Sequence, residues 1–337
     1  MGLRRAVPLI VLLLAAAGCR APPRAELIYV TNEFSGDLSI IDPASNAVKS
    51  TVRLGKRPRG MAFSPDGRRL YVALTGSPVA PPGTDESKLP PPDRAADGIG
   101  VVDLETGSLA RVLRGVSDPE QLAADAAGHI YSASEDAQAV QVLDESGGRL
   151  ASIPLGRAPE GLALRPGGGV LYVSLEDDNA VAVVDLAAGK VTGEIPVGAR
   201  PRSIAFTPDG SKAFVTNEVG ASVSVLDARA HRKLLDIPLA GQDVRPMGVV
   251  VSPDGKRAFV TTGRGGTLVA IDAVTGKVLG QAQVGGRPWG VTISRDGKRL
   301  YTANGPAGDV AMVDAESLKV VGRIKVGERP WGVVYVP

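Results

Sequence analysis

The residues in this 337-residue chain that could do acid/base chemistry are carboxylates, and most of them recur at regular spacing. Asp42, Asp103, Asp144, Asp185, Asp227, Asp272 and Asp314 each stand just before a turn-forming stretch. One aspartate per repeat at such a place bonds the backbone of the turn that follows, which is a structural role. Glu120 and Glu160 break the pattern, because each comes directly after a proline. They are the one carboxylate pair that acid/base or metal chemistry could use, although solvated rim charges account for them more simply. The two histidines, His129 and His231, fall at the other end of the repeat and cannot serve that pair as base or ligand. Cys19 is the single cysteine, so the folded part has neither a disulfide nor a thiolate metal site, and no Cys-x-x-Cys-His is present to attach haem. No catalytic set and no cofactor follow from these residues, and the question of a metal is left open.

Binding chemistry is better represented. Arg57, Arg200, Arg245, Arg287 and Arg329 each precede a proline, while Glu33, Glu135, Glu176 and Glu218 each follow a strand. Two arrangements fit: a ring of bidentate arginine–glutamate pairs, or an arginine-rimmed mouth for an anionic ligand. The residues just after the prolines are Arg59, Glu120, Glu160, Arg202, Met247, Trp289 and Trp331. A repeat keeps what is structural, so a position that varies within it is free to specialise. Met247, Trp289 and Trp331 should form an apolar arc opposite a charged one, built from side chains that anchor interfaces or else plug a channel.

These residues need elements to position them. Residues 198–227 contain a strand over 203–207, a Thr-Pro-Asp-Gly turn, a strand over 213–217 and a third over 223–226, with a weaker fourth over 233–238. The second-strand aromatics are Tyr29, Tyr71, Tyr131, Tyr172, Phe214, Phe259 and Tyr301. Subtracting successive numbers gives 42, 60, 41, 42, 45 and 42. Four strands in about 40 to 45 residues is the period of a propeller blade, which buries both faces only when neighbours stack on it. The expected fold is therefore all-β: a seven-bladed β-propeller of four-stranded antiparallel blades, in one domain over residues 27–337. The last strand, over 331–336, has no hairpin after it, and the first, over 27–32, has no partner before it. Joined, they make a closing blade shared between the two ends of the chain. The long interval comes from residues 75–98, a proline-rich loop that either covers the central opening or is a plain surface excursion.

The segments Tyr29-Val30-Thr31-Asn32 and Phe214-Val215-Thr216-Asn217, with their degenerate copies, resemble the YVTN family of β-propeller repeat proteins. So do the Ser-Pro-Asp-Gly hairpins at 64–67 and 252–255. The resemblance covers nearly the whole chain and implies an exported, often surface-associated seven-bladed protein. Relatives found beside periplasmic quinoprotein metabolism, and lactonases in neighbouring propeller families, are implied alternatives for function.

Residues 1–18 read as a targeting segment, with Arg4 and Arg5 before an apolar stretch too short to span a bilayer. The ending Leu-Ala-Ala-Ala-Gly-Cys resembles a bacterial lipobox with Cys19 as the acylated residue, and residues 19–26 as a tether. Ordinary cleavage after Ala15 or Ala17 is the alternative. Without Arg4 and Arg5 the chain carries 36 basic and 36 acidic residues, a formal charge of zero. Such a balance argues against nucleic acid and against electrostatic membrane binding. The expectation is a monomeric lipoprotein of the periplasm or outer membrane, touching the membrane only through its lipid. It acts as a binding or scaffold module that holds a protein or a small anionic ligand on the face carrying the Arg-Pro segments, here called the top.

Overall fold

The computed structural model describes residues 26–79 and 88–336; the targeting segment, Cys19 and most of the tether lie outside the described residues. Seven four-stranded antiparallel sheets form, each a simple meander from the inside outward. In blade 1 the C-terminal strand Pro330–Tyr335 lies beside Ile28–Asn32, followed by Asp37–Asp42 and Ala47–Arg53. Tyr29 faces Val334 and Val30 faces Val333, so the two ends of the chain do complete one blade. Blades 2 to 7 begin at Pro58, Pro119, Pro159, Pro201, Val249 and Pro288. Each innermost strand touches the next, and Pro330–Tyr335 touches both Pro288–Ile293 and Pro58–Phe63, which closes the ring.

The core lies between blades. Phe214, Val223, Val225 and Ile237 of blade 5 form one buried cluster with Val260, Val269 and Ile271 of blade 6. The seven marker aromatics are all buried, as their position in the repeat implies. Outer strands such as Ala47–Arg53 are mostly exposed, because nothing stacks beyond them. The seven aspartates cap their turns as expected: the Oδ1 atoms of Asp42, Asp103, Asp144, Asp185, Asp227, Asp272 and Asp314 accept backbone N–H bonds from the two to four residues that follow.

A second repeated device fixes one blade to the next. The hydroxyl of Thr216 accepts the N–H of Ser203 from its own blade at 2.9 Å and donates to the carbonyl of Met247 in blade 6 at 2.6 Å. Thr261 does the same between Gly248 N–H and Trp289 C=O, Ser174 between Gly161 N–H and Arg202 C=O, and Thr31 between Gly332 N–H and Arg59 C=O. The four hydroxyl-bearing residues are fully buried, so water cannot take over these bonds. The third residue of the Tyr-Val-Thr-Asn segment thus holds the backbone of channel-facing residues. Asn217 and Asn32 serve their own blades: Asn217 Nδ2 donates to Ser222 and Ser224, and Asn32 Nδ2 to Asp37 and Ser39, whereas Asn304 Nδ2 donates to Asp309 and also to Val284 C=O of blade 6.

Blade 6 departs from the rest, with an innermost strand of only Val249–Val251. The backbone ahead of it bonds elsewhere: Arg245 N–H to Thr262 C=O and Gly248 N–H to Trp289 C=O. The inserted segment also differs in detail from expectation, since Arg94–Ala96 is a single turn of 3-10 helix and Gly98 already belongs to the strand Gly98–Asp103. Its described ends are tied to the top face by the buried Asp97, which accepts from the N–H groups of Gly76 and Asp118.

Replacing Thr31 by valine removes the hydroxyl with little change in volume and leaves the buried Gly332 N–H and Arg59 C=O without that partner. Urea unfolding should show a loss of about 1–3 kcal/mol. A change below about 0.5 kcal/mol would mean that the hydroxyl does not join the blades.

Candidate functional site

The pre-proline residues sit in an unusual backbone region. Arg57, Asp118, Ala158, Arg200, Arg287 and Arg329 have φ between 37° and 55°, where a side chain costs roughly 1–2 kcal/mol and where a following proline makes the fit worse. The geometry lets the loop after the second strand reach back. Glu33 N–H donates to Arg329 C=O, Glu135 to Asp118, Glu176 to Ala158, Glu218 to Arg200 and, more weakly at 3.3 Å, Gly305 to Arg287. In blades 1, 3, 4, 5 and 7 the top corner therefore sets one pre-proline residue against one loop residue.

Half of the top face is a buried ion network. Arg57 pairs with Glu33 at 2.8 Å, and Arg200 with Glu176 at 3.0 Å and Glu218 at 3.3 Å, as the paired-ring reading expects. Inside them Arg59 meets Glu120 at 2.6 Å and Glu160 at 3.2 Å, while Arg202 meets Glu160 at 3.1 Å and also Glu176. Arg59, Glu120 and Glu160 are 6%, 2% and 8% exposed, so the expectation of solvated rim charges for Glu120 and Glu160 is wrong. They are buried because the two arginines stand between blades 2, 3, 4 and 5 and neutralise them. Burial alone would lower the Arg59 pKa, but Glu120, Glu160 and Glu33 outweigh it and raise the pKa above its ordinary value. Burial also raises the Glu160 pKa, and there Arg202 and Arg59 win, bringing it below its ordinary value. For Glu120 burial prevails over Arg59, and its pKa rises.

Beside this network Asp118 occupies a slot that holds arginine in most blades, so Glu135 has no rim arginine of its own. Asp118, Glu120 and Glu135 can bring one ligand oxygen each within 4.8 Å of one another, the group of acids among the described residues that could hold a cation. Partial burial, then the charges of Glu160, Asp118 and Glu176, push the Glu135 pKa up to about 7. The sequence reading treated Glu120 and Glu160 as the carboxylate pair; Asp118 was missed, and its only signal was an acid in the arginine slot.

The other half is apolar and cationic. Trp289 and Trp331 meet edge to face at 6.1 Å, with the Arg59 guanidinium 4.7 Å from the Trp331 ring. Arg287 lies over Trp289 at 5.2 Å and Arg329 over Phe34 at 4.6 Å. Both indole N–H groups are buried without a hydrogen-bond partner among the described residues. Arg245, Arg287 and Arg329 make no ion pair among the described residues, so the ring of pairs fails on this side. A top funnel of about 420 Å³ is lined by both halves and by Ser77–Val79 and Leu89–Pro92 of the inserted loop. A channel cavity of about 200 Å³ lies against Met247, Trp289 and Trp331 and shares Glu160 and Arg202 with the funnel. His129 and His231 are remote, the first bonded to Asp125 and the second to the Tyr172 hydroxyl.

The closed ring of seven four-stranded sheets makes the protein a seven-bladed β-propeller. A family model for YNCE-like beta-propellers matches residues 84–336, and the chain belongs to that family. No curated protein matches it. Among solved structures it is similar to hydrazine synthase of Kuenenia stuttgartiensis, with 20% identity, TM-score 0.73, and coverage of 86% of this chain and 92% of that one. It is also similar to a Lactobacillus plantarum protein, with 16% identity, TM-score 0.75, and coverage of 93% and 99%. A Bacteroides uniformis protein provisionally assigned as a 6-phosphogluconolactonase gives 17%, TM-score 0.73, and coverage of 93% and 100%. Likeness at this level concerns the fold.

Removing the Arg59 charge with Arg59→Met should cost on the order of 3–5 kcal/mol in urea unfolding, because three buried carboxylates lose their shared partner. A cost under 1 kcal/mol would contradict the network. Glu135 titrates higher in the fold than in the unfolded chain. The folded state therefore binds the extra proton between about pH 4.5 and 7, and stability falls as pH rises through that window. Glu135→Gln should flatten the fall in the urea midpoint between pH 5 and pH 7; an unchanged slope would place the titration elsewhere.

Proposed function

We propose that this protein is a binding or scaffold module of the bacterial envelope, exported and lipid-anchored through Cys19, which works through the top face of the ring. The observation that supports the reading is the contrast between repeat and exception. Residues that recur in every blade, the aspartates and marker aromatics, are consumed in turns and core. Residues that vary from blade to blade, Arg59, Glu120, Glu160, Arg202, Met247 and Trp289, line one funnel. A mouth with a neutralised acidic half and an apolar, cationic half suits a ligand or protein segment with negative charge. The inserted loop forms part of the funnel wall, which favours its covering role over a surface excursion.

A hydrolase using a metal at the channel mouth is the second reading. Its support is the Asp118, Glu120 and Glu135 group, whose three carboxylates could hold the cation. Metal-dependent turnover abolished by Glu135→Gln would favour this reading over the first.

Native mass spectrometry of the full chain, isolated gently from its own membranes, tests the binding reading. A bound species should accompany the wild type and be lost from the Trp289→Ala, Trp331→Ala double variant. A bare chain, or a species retained equally by the variant, would contradict it.

A further inference from the structure

The top corners of the blades can be compared slot by slot. In pre-proline order the blades carry Arg57, Asp118, Ala158, Arg200, Arg245, Arg287 and Arg329 from blade 2 round to blade 1. The loop residues beside them are Thr75, Glu135, Glu176, Glu218, Gly263, Gly305 and Glu33. Paired arginines reach the loop residue of their own blade or of the preceding one: Arg57 to Glu33, Arg200 to Glu176 and Glu218. Arg287 alone has glycine at both places, Gly263 before it and Gly305 beside it.

The two glycines differ in origin. Gly263 has φ +51° and a Cβ there would come within 2.7 Å of Arg245 C=O, so the backbone requires glycine. Gly305 is under no such demand. A Cβ on it would meet nothing nearer than Pro330 C=O at 3.7 Å and Trp289 Nε1 at 3.8 Å, which is ordinary contact. The glutamate of blade 5 has no counterpart here, and the indole N–H of Trp289 beside Gly305 is buried with no hydrogen-bond partner among the described residues. Arg287 itself is half-buried, and burial, then Arg264 and Arg329, lower its pKa, so its charge is poorly compensated by the described residues around it.

We propose that Arg287, at the corner where Gly305 stands in place of a glutamate, and the Trp289 indole N–H form a subsite for the carboxylate of a small organic molecule whose apolar body rests on Trp289, Trp331 and Met247 in the funnel and channel cavities. The proposal rests on the top-face reading and names its ligand class. A carboxylate is the expected group because the same protein places one against the matching arginine in blade 5. A guanidinium and an indole N–H then supply charge-assisted and neutral donors to its two oxygens. The tryptophan edges and Met247 offer the apolar surface that an aromatic or alicyclic body needs.

Calorimetry on the full chain in detergent, with 2-naphthoate as probe, tests the subsite. Binding should be one to one, with neutral 2-naphthamide, acetate and inorganic phosphate each at least about tenfold weaker. Arg287→Gln should weaken 2-naphthoate about tenfold or more and abolish its advantage over the amide. Gly305→Glu should supply the missing carboxylate from the chain itself and eliminate naphthoate binding, while the melting temperature stays equal or rises. No naphthoate binding, equal binding of phosphate or acetate, or unimpaired binding by a folded Gly305→Glu variant would each overturn the subsite. Failure of naphthoate while a native partner stays sensitive to the tryptophan variants would reject the carboxylate and leave the binding module standing.

Discussion

At four of the seven junctions a buried hydroxyl joins one blade to the next, and it is the constraint that fixes their register; blades 2, 3 and 7 carry Ala73, Ala133 and Ala303 at that place. A four-stranded sheet of this size cannot bury both faces, so each blade is stable only against its neighbours. Apolar contact between blades is permissive about register. The hydroxyls of Thr31, Ser174, Thr216 and Thr261 are not, because each must satisfy an N–H in its own blade and a carbonyl in the next while fully buried. The carbonyls they hold belong to Arg59, Arg202, Met247 and Trp289, four of the channel-facing residues. Structure and candidate site therefore share one set of bonds at these four positions, and their side chains project from backbone that the bonds hold in place.

That rigidity makes a buried charge network tolerable. Arg59 and Arg202 serve carboxylates from several blades at once, and each is shielded from water by the ring around it. Burying ions in this way is seldom a net gain in stability. It does fix which blades stand beside which, and it removes the acidic half of the mouth from competition for a ligand. The free cationic charge is left on the tryptophan side. An account of the top face built on rim charge alone would miss this, because arginines in equivalent slots are neutralised in blades 2 and 5 and make no ion pair among the described residues in blades 6, 7 and 1.

Much of this was legible in the sequence. The spacing of Tyr29 through Tyr301 gives the blade count, and the unpartnered strands at the two ends give the closure. Turn chemistry explains the seven aspartates without any structure. Trp289, Trp331 and Met247 could be placed on one arc because they follow the same proline in successive repeats. The fate of the charges could not be read in the same way. Whether Glu120 is a solvated rim group or a buried partner of Arg59 depends on distances between blades, and a single-chain pattern contains none. The role of Thr216 was hidden for a similar reason, since its donor and acceptor lie in different blades. Asp118 and Gly305 were visible as exceptions only once the slots around the rim could be set against one another.

The chain has two tryptophans, so its nitrogen-15 spectrum has two indole N–H signals, both from the mouth of the channel. Following them together with the arginine Nε–H signals while 2-naphthoate is added tests the central claim, that the tryptophan half is open to ligand and the charged half is closed. The account predicts that the Trp289 indole signal moves downfield with the Arg287 signal, while Arg59 and Arg202 stay in place. Movement of Arg59 and Arg202 with unmoved indoles would contradict it, and would put the binding surface on the side assigned here to structure.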